Sequence, residues 1–171
     1  FPPQERSVRS MSSHRERVVR GSVASEHVVQ LFDETESLVA SVSSYLIDGW
    51  KRGDNLLVVA RAAHWALASA ELEARGYPVV EQIASGKLMA LDAATTMATF
   101  MVNGDPQPDK FRGSVGGLVS RLTDDPLTGL TIYGEMVDIL AAQGNLNAAE
   151  QLEALWNDLG VCHPFPVLCG Y

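Results

Sequence analysis

Residues Leu130 to Tyr171, LTIYGEMVDILAAQGNLNAAEQLEALWNDLGVCHPFPVLCGY, constrain the fold more than any other stretch of this chain. Gly129 to Tyr133 reads as a strand, Gly134-Glu135 as a tight turn, and Met136 to Ala142 as a helix stopped by Gly144. Asn145 is placed to cap a second helix, on which Leu146, Ala149, Leu152, Leu155, Trp156 and Leu159 form one apolar stripe. Phe165 to Gly170 then returns as a strand. The earlier part of the chain must fit this strand–helix–strand unit.

It does so by repeating the alternation. His27-Val-Val-Gln-Leu-Phe32 is a first β-type run. Asp33 and Glu36 follow at the spacing of a capping box, and Leu38, Val42, Tyr45, Leu46 and Gly49 share one helical face up to Gly53. Asn55 to Ala60 is a short, nearly continuous apolar run of the kind buried on both faces of a parallel sheet. The Ala- and Leu-rich segment Ala62 to Arg75 is a helix closed by Gly76. Val79 to Ala84 reads as a short helix or irregular segment, and Lys87 to Leu91 as a third strand ending at Asp92. Ala93 to Met101 is helical with Asp92 as its cap. Asn103-Gly-Asp-Pro106 is a loop. Asp109 to Leu122 is a helix interrupted by Gly113, Gly116 and Gly117, and Asp124-Asp-Pro126 a turn. Strands alternating with helices predict an α/β fold of three layers, a mostly parallel five-stranded sheet with helices on both faces. Strand order is not legible at this level.

Phe1 to Ser25 lacks sustained periodicity and reads as a flexible basic arm or linker preceding a single domain over 26–171; a short helix over Ser13 to Arg20 is compatible with it. The arm carries Arg6, Arg9, Arg15, Arg17 and Arg20 against Glu5 and Glu16, within a chain of net charge −8. The rest therefore holds 8 basic and 19 acidic residues, which argues against nucleic-acid binding by the folded part. No apolar run approaches the roughly 18 residues of a membrane span, and the N-terminus lacks an apolar signal segment; a cytoplasmic protein without membrane contact is expected. Cys162, His163 and Cys169 lack the paired spacing of a zinc site, so Cys169 reads as a small buried residue on the last strand, and neither metal nor cofactor is expected.

Ligands of open α/β sheets bind beyond the carboxyl ends of the strands. Asp33, then Arg61 and His64, Asp92, Glu135 and Tyr171 follow the five strands in turn. Each has an ordinary explanation. Asp33 and Asp92 are placed to cap helices, Glu135 suits the dipole of a first turn, and His64 lies on an Ala-rich helix where a packed or surface histidine is common. His27 opens its strand at the opposite end and reads as structural. Trp65, Phe100 and Trp156 are core or pocket walls, and Met89, Met97, Met101 and Met136 flank the rim candidates. Missing motifs narrow the chemistry further. After Leu56–Ala60 comes Arg61-Ala-Ala-His-Trp65, with none of the Gly, Lys and hydroxyl residues of a phosphate loop. There is no G-x-G-x-x-G after a strand and no G-x-S-x-G elbow. ATP hydrolysis, dinucleotide redox chemistry and serine hydrolysis lose support, leaving a non-catalytic reading.

The set Tyr133-Gly-Glu-Met-Val-Asp138, Gly144-Asn145, Leu152-Glu-x-x-Trp-Asn157 and Leu168-Cys-Gly-Tyr171 resembles the MEDS domain, the sensory domain of methanogen and methylotroph regulators, including the dichloromethane-responsive regulator. His27 to Phe32, Gly53 to Ala60 with His64, Gly86-Lys-Leu-x-x-Leu-Asp92, Thr96 with Phe100-Met101 and Gly104-Asp-Pro106 extend the resemblance over about 26–171. The resemblance implies a degenerate RecA/KaiC-like relative whose nucleotide-binding motif has been lost. It also implies a signalling sensor that binds a small organic ligand and relays to a histidine kinase, a transcription regulator or another output domain. His64, Asp92, Tyr133 and Glu135 are the expected ligand-binding positions, on strand-end geometry. The alternatives are a ligand-free interaction module built on an ATPase fold, with self-association open, and an acid/base enzyme using His64 with Asp92 or Glu135.

Overall fold

The computed structural model of the chain describes residues 19–20, 27–30 and 34–170, the first two segments as backbone only. The strands are β1 (Val19–Arg20), β2 (His27–Gln30), β3 (Asn55–Ala60), β4 (Leu88–Asp92), β5 (Met101–Val102), β6 (Asp105–Pro106), β7 (Leu130–Gly134) and β8 (Val167–Gly170). Strands β8, β7, β3 and β4 form a four-stranded parallel sheet. β2 joins it in parallel beside β8, and β1 lies antiparallel on β2, giving the order β1-β2-β8-β7-β3-β4. The five strands expected from the sequence are β2, β3, β4, β7 and β8. β5 and β6 form a separate two-stranded ribbon.

The helices are α1 (Thr35–Arg52), α2 (Ala62–Ala74), α3 (Val79–Ala84), α4 (Ala93–Ala98), α5 (Pro108–Phe111), α6 (Gly117–Leu122), α7 (Met136–Ala142) and α8 (Leu146–Cys162). A π-helical turn, Arg112–Gly116, joins α5 to α6 where the three glycines interrupt the helical pattern. Gly53 takes a left-handed conformation (φ 85°) to end α1, as its position implied. Asn145 accepts from the Ala148 N–H and Asp92 from the Thr95 N–H, so both capping expectations hold. Asp33 and Tyr171 lie outside the described residues. So does most of Ser13–Arg20; its last two residues are strand β1, not helix. The helix expected over Ala93–Met101 is shorter, because Met101 leaves it to pair in β5 with Pro106.

Alternation along the strands builds two cores. Leu57 and Val59 of β3, Ile132 of β7 and Val167 and Cys169 of β8 pack with α4, α6, α7 and α8. Leu56, Val58, Tyr133 and Leu168 face the other way, toward Leu38, Val42 and Leu46 of α1 and Ala68 and Leu72 of α2. The sheet is therefore the middle of three layers. Helices connecting β2 to β3 and β3 to β4 lie on one face; those between β4 and β7, and between β7 and β8, lie on the other. The chain reverses its direction across the sheet between β3 and β7. A crevice opens beyond the carboxyl ends at such a reversal.

Candidate functional site

Two adjacent strand ends carry a cluster of polar residues at this reversal. Val59 O accepts a hydrogen bond from the Glu135 N–H (3.0 Å), continuing the β3–β7 ladder past Gly134. Arg61 follows β3 and leads into α2; Glu135 follows β7 and leads into α7. Neither helix start has a side-chain cap of its own, and the Glu135 carboxylate turns toward Arg61 at the start of α2 instead.

That carboxylate is fully buried. Its Oε2 accepts from the Arg61 backbone N–H at 3.0 Å and from Arg61 Nη1 at 3.1 Å. Its Oε1 accepts from the Tyr133 hydroxyl at 2.7 Å and lies 3.0 Å from His64 Nδ1. Arg61 Nη2 reaches Asp138 Oδ2 at 2.5 Å, one turn into α7. An anion at the start of α2 is favourable because unpaired N–H groups converge there, and here the chain supplies the anion itself. Around the buried centre, the side chains of Arg61, His64 and Asp138 remain 32%, 26% and 23% exposed.

Electrostatics follow the geometry. Burial, then the neighbouring Glu135 charge, push the Tyr133 phenol far above its ordinary range. Burial alone would lower Arg61, but its bonds to Asp138 and Glu135 outweigh that and hold the guanidinium more firmly protonated. Asp92 is held below the usual carboxylate range by the N–H and hydroxyl of Thr95. β8 makes room for the phenol: a Cβ on Gly170 would lie 2.7 Å from the Tyr133 oxygen.

Of the four expected positions, the structure brings His64, Tyr133 and Glu135 together. Asp92 sits at the end of neighbouring β4, register partner of Ala60, with its carboxylate engaged in capping α4. Arg61, named among the strand-end residues but not among the expected ligand positions, is the hub of the cluster, and Asp138 joins it. Their signal was a basic residue ending one strand and two acids three apart after another. Reading it required knowing that β3 and β7 are neighbours. Cys162 is exposed and Cys169 buried in β8, and no cluster of three potential metal-binding His, Cys, Asp or Glu occurs among the described residues. No helix among them is long and apolar enough to cross a membrane.

No curated protein and no solved structure matches the chain. A family model does, and it covers residues 26–171, which hold every element from β2 to β8 and the whole polar cluster. The chain belongs to the MEDS family, the methanogen/methylotroph DcmR sensory domain.

Proposed function

We propose that this sensory domain binds a small organic molecule in the crevice between the ends of β3 and β7 and relays its presence to a signalling partner or output domain. The observation that carries the reading is part-exposed Arg61 and His64 held on buried Glu135, with part-exposed Asp138 on Arg61, at the reversal of the sheet. His64 and the outer edge of Arg61 are the ligand-facing groups, Tyr133 and Glu135 stand beneath them, and Asp92 marks the β4 side of the rim. Because Arg61 ties α2 to α7, a ligand that favours one arrangement of the trio would shift both helices, and such differential affinity is what a switch requires. The chain's own carboxylate at the start of α2 and the absent phosphate loop support reading the fold as a RecA/KaiC-like sheet that has lost nucleotide binding. They also support a non-catalytic role. A thermal-shift screen of small organic molecules, run on the wild type and His64→Ala, tests the proposal. Ligands that stabilise the wild type should lose about tenfold or more in affinity in the variant, roughly one hydrogen bond's worth. Equal shifts in both proteins would place binding elsewhere.

A second reading has its own observation. Between α1 and α2 runs a groove of about 430 Å³ lined by Thr35, Glu36, Val39, Ala40, Leu67, Ala70 and Glu71, with Leu67 50% exposed. An apolar helical face of this kind suits protein docking, and a ligand-free interaction module would use it. In that case Leu67→Glu would abolish partner binding while the screen stayed silent.

A further inference from the structure

We propose that Glu135 and Tyr133 are positioning residues that fix the tautomer of His64, so that the crevice selects a ligand whose polar end is a hydrogen-bond donor and rejects carboxylates. This rests on the reading of the crevice as the ligand site. A carboxylate offers about four lone-pair positions. Two on Oε2 are taken by the Arg61 backbone N–H and guanidinium, and one on Oε1 by the Tyr133 hydroxyl. Every one of these neighbours is a donor, so Glu135 acts as an acceptor throughout, and the fourth contact, His64 Nδ1 at 3.0 Å, must donate as well. A neutral imidazole has one N–H. With that proton on Nδ1, Nε2 is a bare acceptor, and no partner for it occurs among the described residues. The charge of the cluster points the same way: Arg61 supplies one positive charge against the two negative charges of Glu135 and Asp138. An anion arriving there meets a net negative rim and an acceptor nitrogen. A hydroxyl or an ammonium meets a complementary one.

Three probes with the same three-carbon body separate the outcomes: propanol, propylammonium and propionate. The imidazole nitrogen resonances of His64 are followed by NMR at a pH where the ring is neutral. The wild type should show a protonated Nδ1 and a bare Nε2, and propanol or propylammonium should perturb Nε2 at least about tenfold more readily than propionate. In Glu135→Gln the two Arg61 donors claim the new amide oxygen, which turns the amide N–H₂ toward His64 Nδ1. The proton then moves to Nε2, and the order of preference should reverse toward propionate. An Nε2–H tautomer in the wild type, or a wild-type preference for propionate, overturns the proposal while leaving the crevice as a ligand site. A wild type with the stated tautomer that answers none of the probes or any other small molecule overturns the crevice reading itself, and the ligand class with it. The wild-type spectrum decides the tautomer even if the variant does not fold.

Discussion

A carboxylate buried between two strand ends is tolerable only if donors replace its water, and at Glu135 each donor has a different origin. One belongs to the backbone entering α2, one to an arginine, one to a tyrosine on the same strand and one to a histidine a turn into α2. Truncation strands them unequally. The Arg61 and His64 side chains are partly exposed and can return to water; the buried Tyr133 hydroxyl cannot. Glu135→Leu should therefore cost about 2–4 kcal/mol, below the full penalty for breaking a completely buried pair, read as a lower urea midpoint at unchanged slope. A loss within about 0.5 kcal/mol would mean that the cluster is not a unit. The strand-end rule located Glu135, Tyr133 and His64 from the sequence because it needs only the end of each apolar run. It could not distinguish them from Asp92, which satisfies the same rule but spends its carboxylate on Thr95. A capping carboxylate and one buried in a cross-strand cluster share one local signature, and what separates them is the neighbouring strand.

Elements follow local patterning more closely than the polar cluster does, and the glycines show where patterning stops. The sequence places α1 by its apolar face and its Gly53 terminus, and the structure agrees. Gly49 lies on that face, where helix propensity alone would favour alanine by about 1 kcal/mol. In the fold, a Cβ at Gly49 would lie 2.6 Å from Thr131 Oγ1 and 2.8 Å from its Cβ. Thr131 cannot swing away, because its hydroxyl donates to Asp54 and accepts from Arg52. Gly49→Ala should thus destabilise by about 1–3 kcal/mol, the range of overpacked cores. Gly117, at the start of α6, meets nothing within 4 Å, so Gly117→Ala should stabilise by up to about 1 kcal/mol. Urea unfolding of the two variants checks the opposite signs; a stabilising Gly49→Ala would show that α1 does not rest this closely on β7. The short pairings β1, β5 and β6 were not legible, since two residues carry no period. The π turn at Arg112–Gly116 was visible only as a run of glycines.

At the scale of the molecule, the two cores differ in chemistry. The face carrying α4 to α8 packs Phe100, Phe111 and Trp156 edge to face, at 5.3 and 5.4 Å between ring centres, with no phenol among them. The face carrying α1 and α2 holds Tyr45, Tyr77 and Tyr133. No sequence pattern assigned the tyrosines to one layer, because the assignment depends on strand order, and the order is set by contacts between segments far apart in the chain. The consequence is a directional response to pH. Burial raises all three phenols, Tyr77 to about 12 and the other two further. Unfolding returns each to about 10. Below that value both states keep the proton and the full stability is present. Above it the unfolded chain releases protons that the folded one retains, so stability falls by about 1.4 kcal/mol per group per pH unit, up to about 4 for the three together, until the folded values are reached. Alkaline titration should therefore show the phenolate absorbance of Tyr45, Tyr77 and Tyr133 rising together, in the same narrow interval in which the far-ultraviolet helical signal is lost. Three phenols ionising near pH 10 with that signal intact would mean that the α1–α2 layer is open to water. Tyr133→Phe should move the transition to higher pH relative to its own neutral-pH stability, because it removes one proton of linkage from this layer and leaves the other core unchanged.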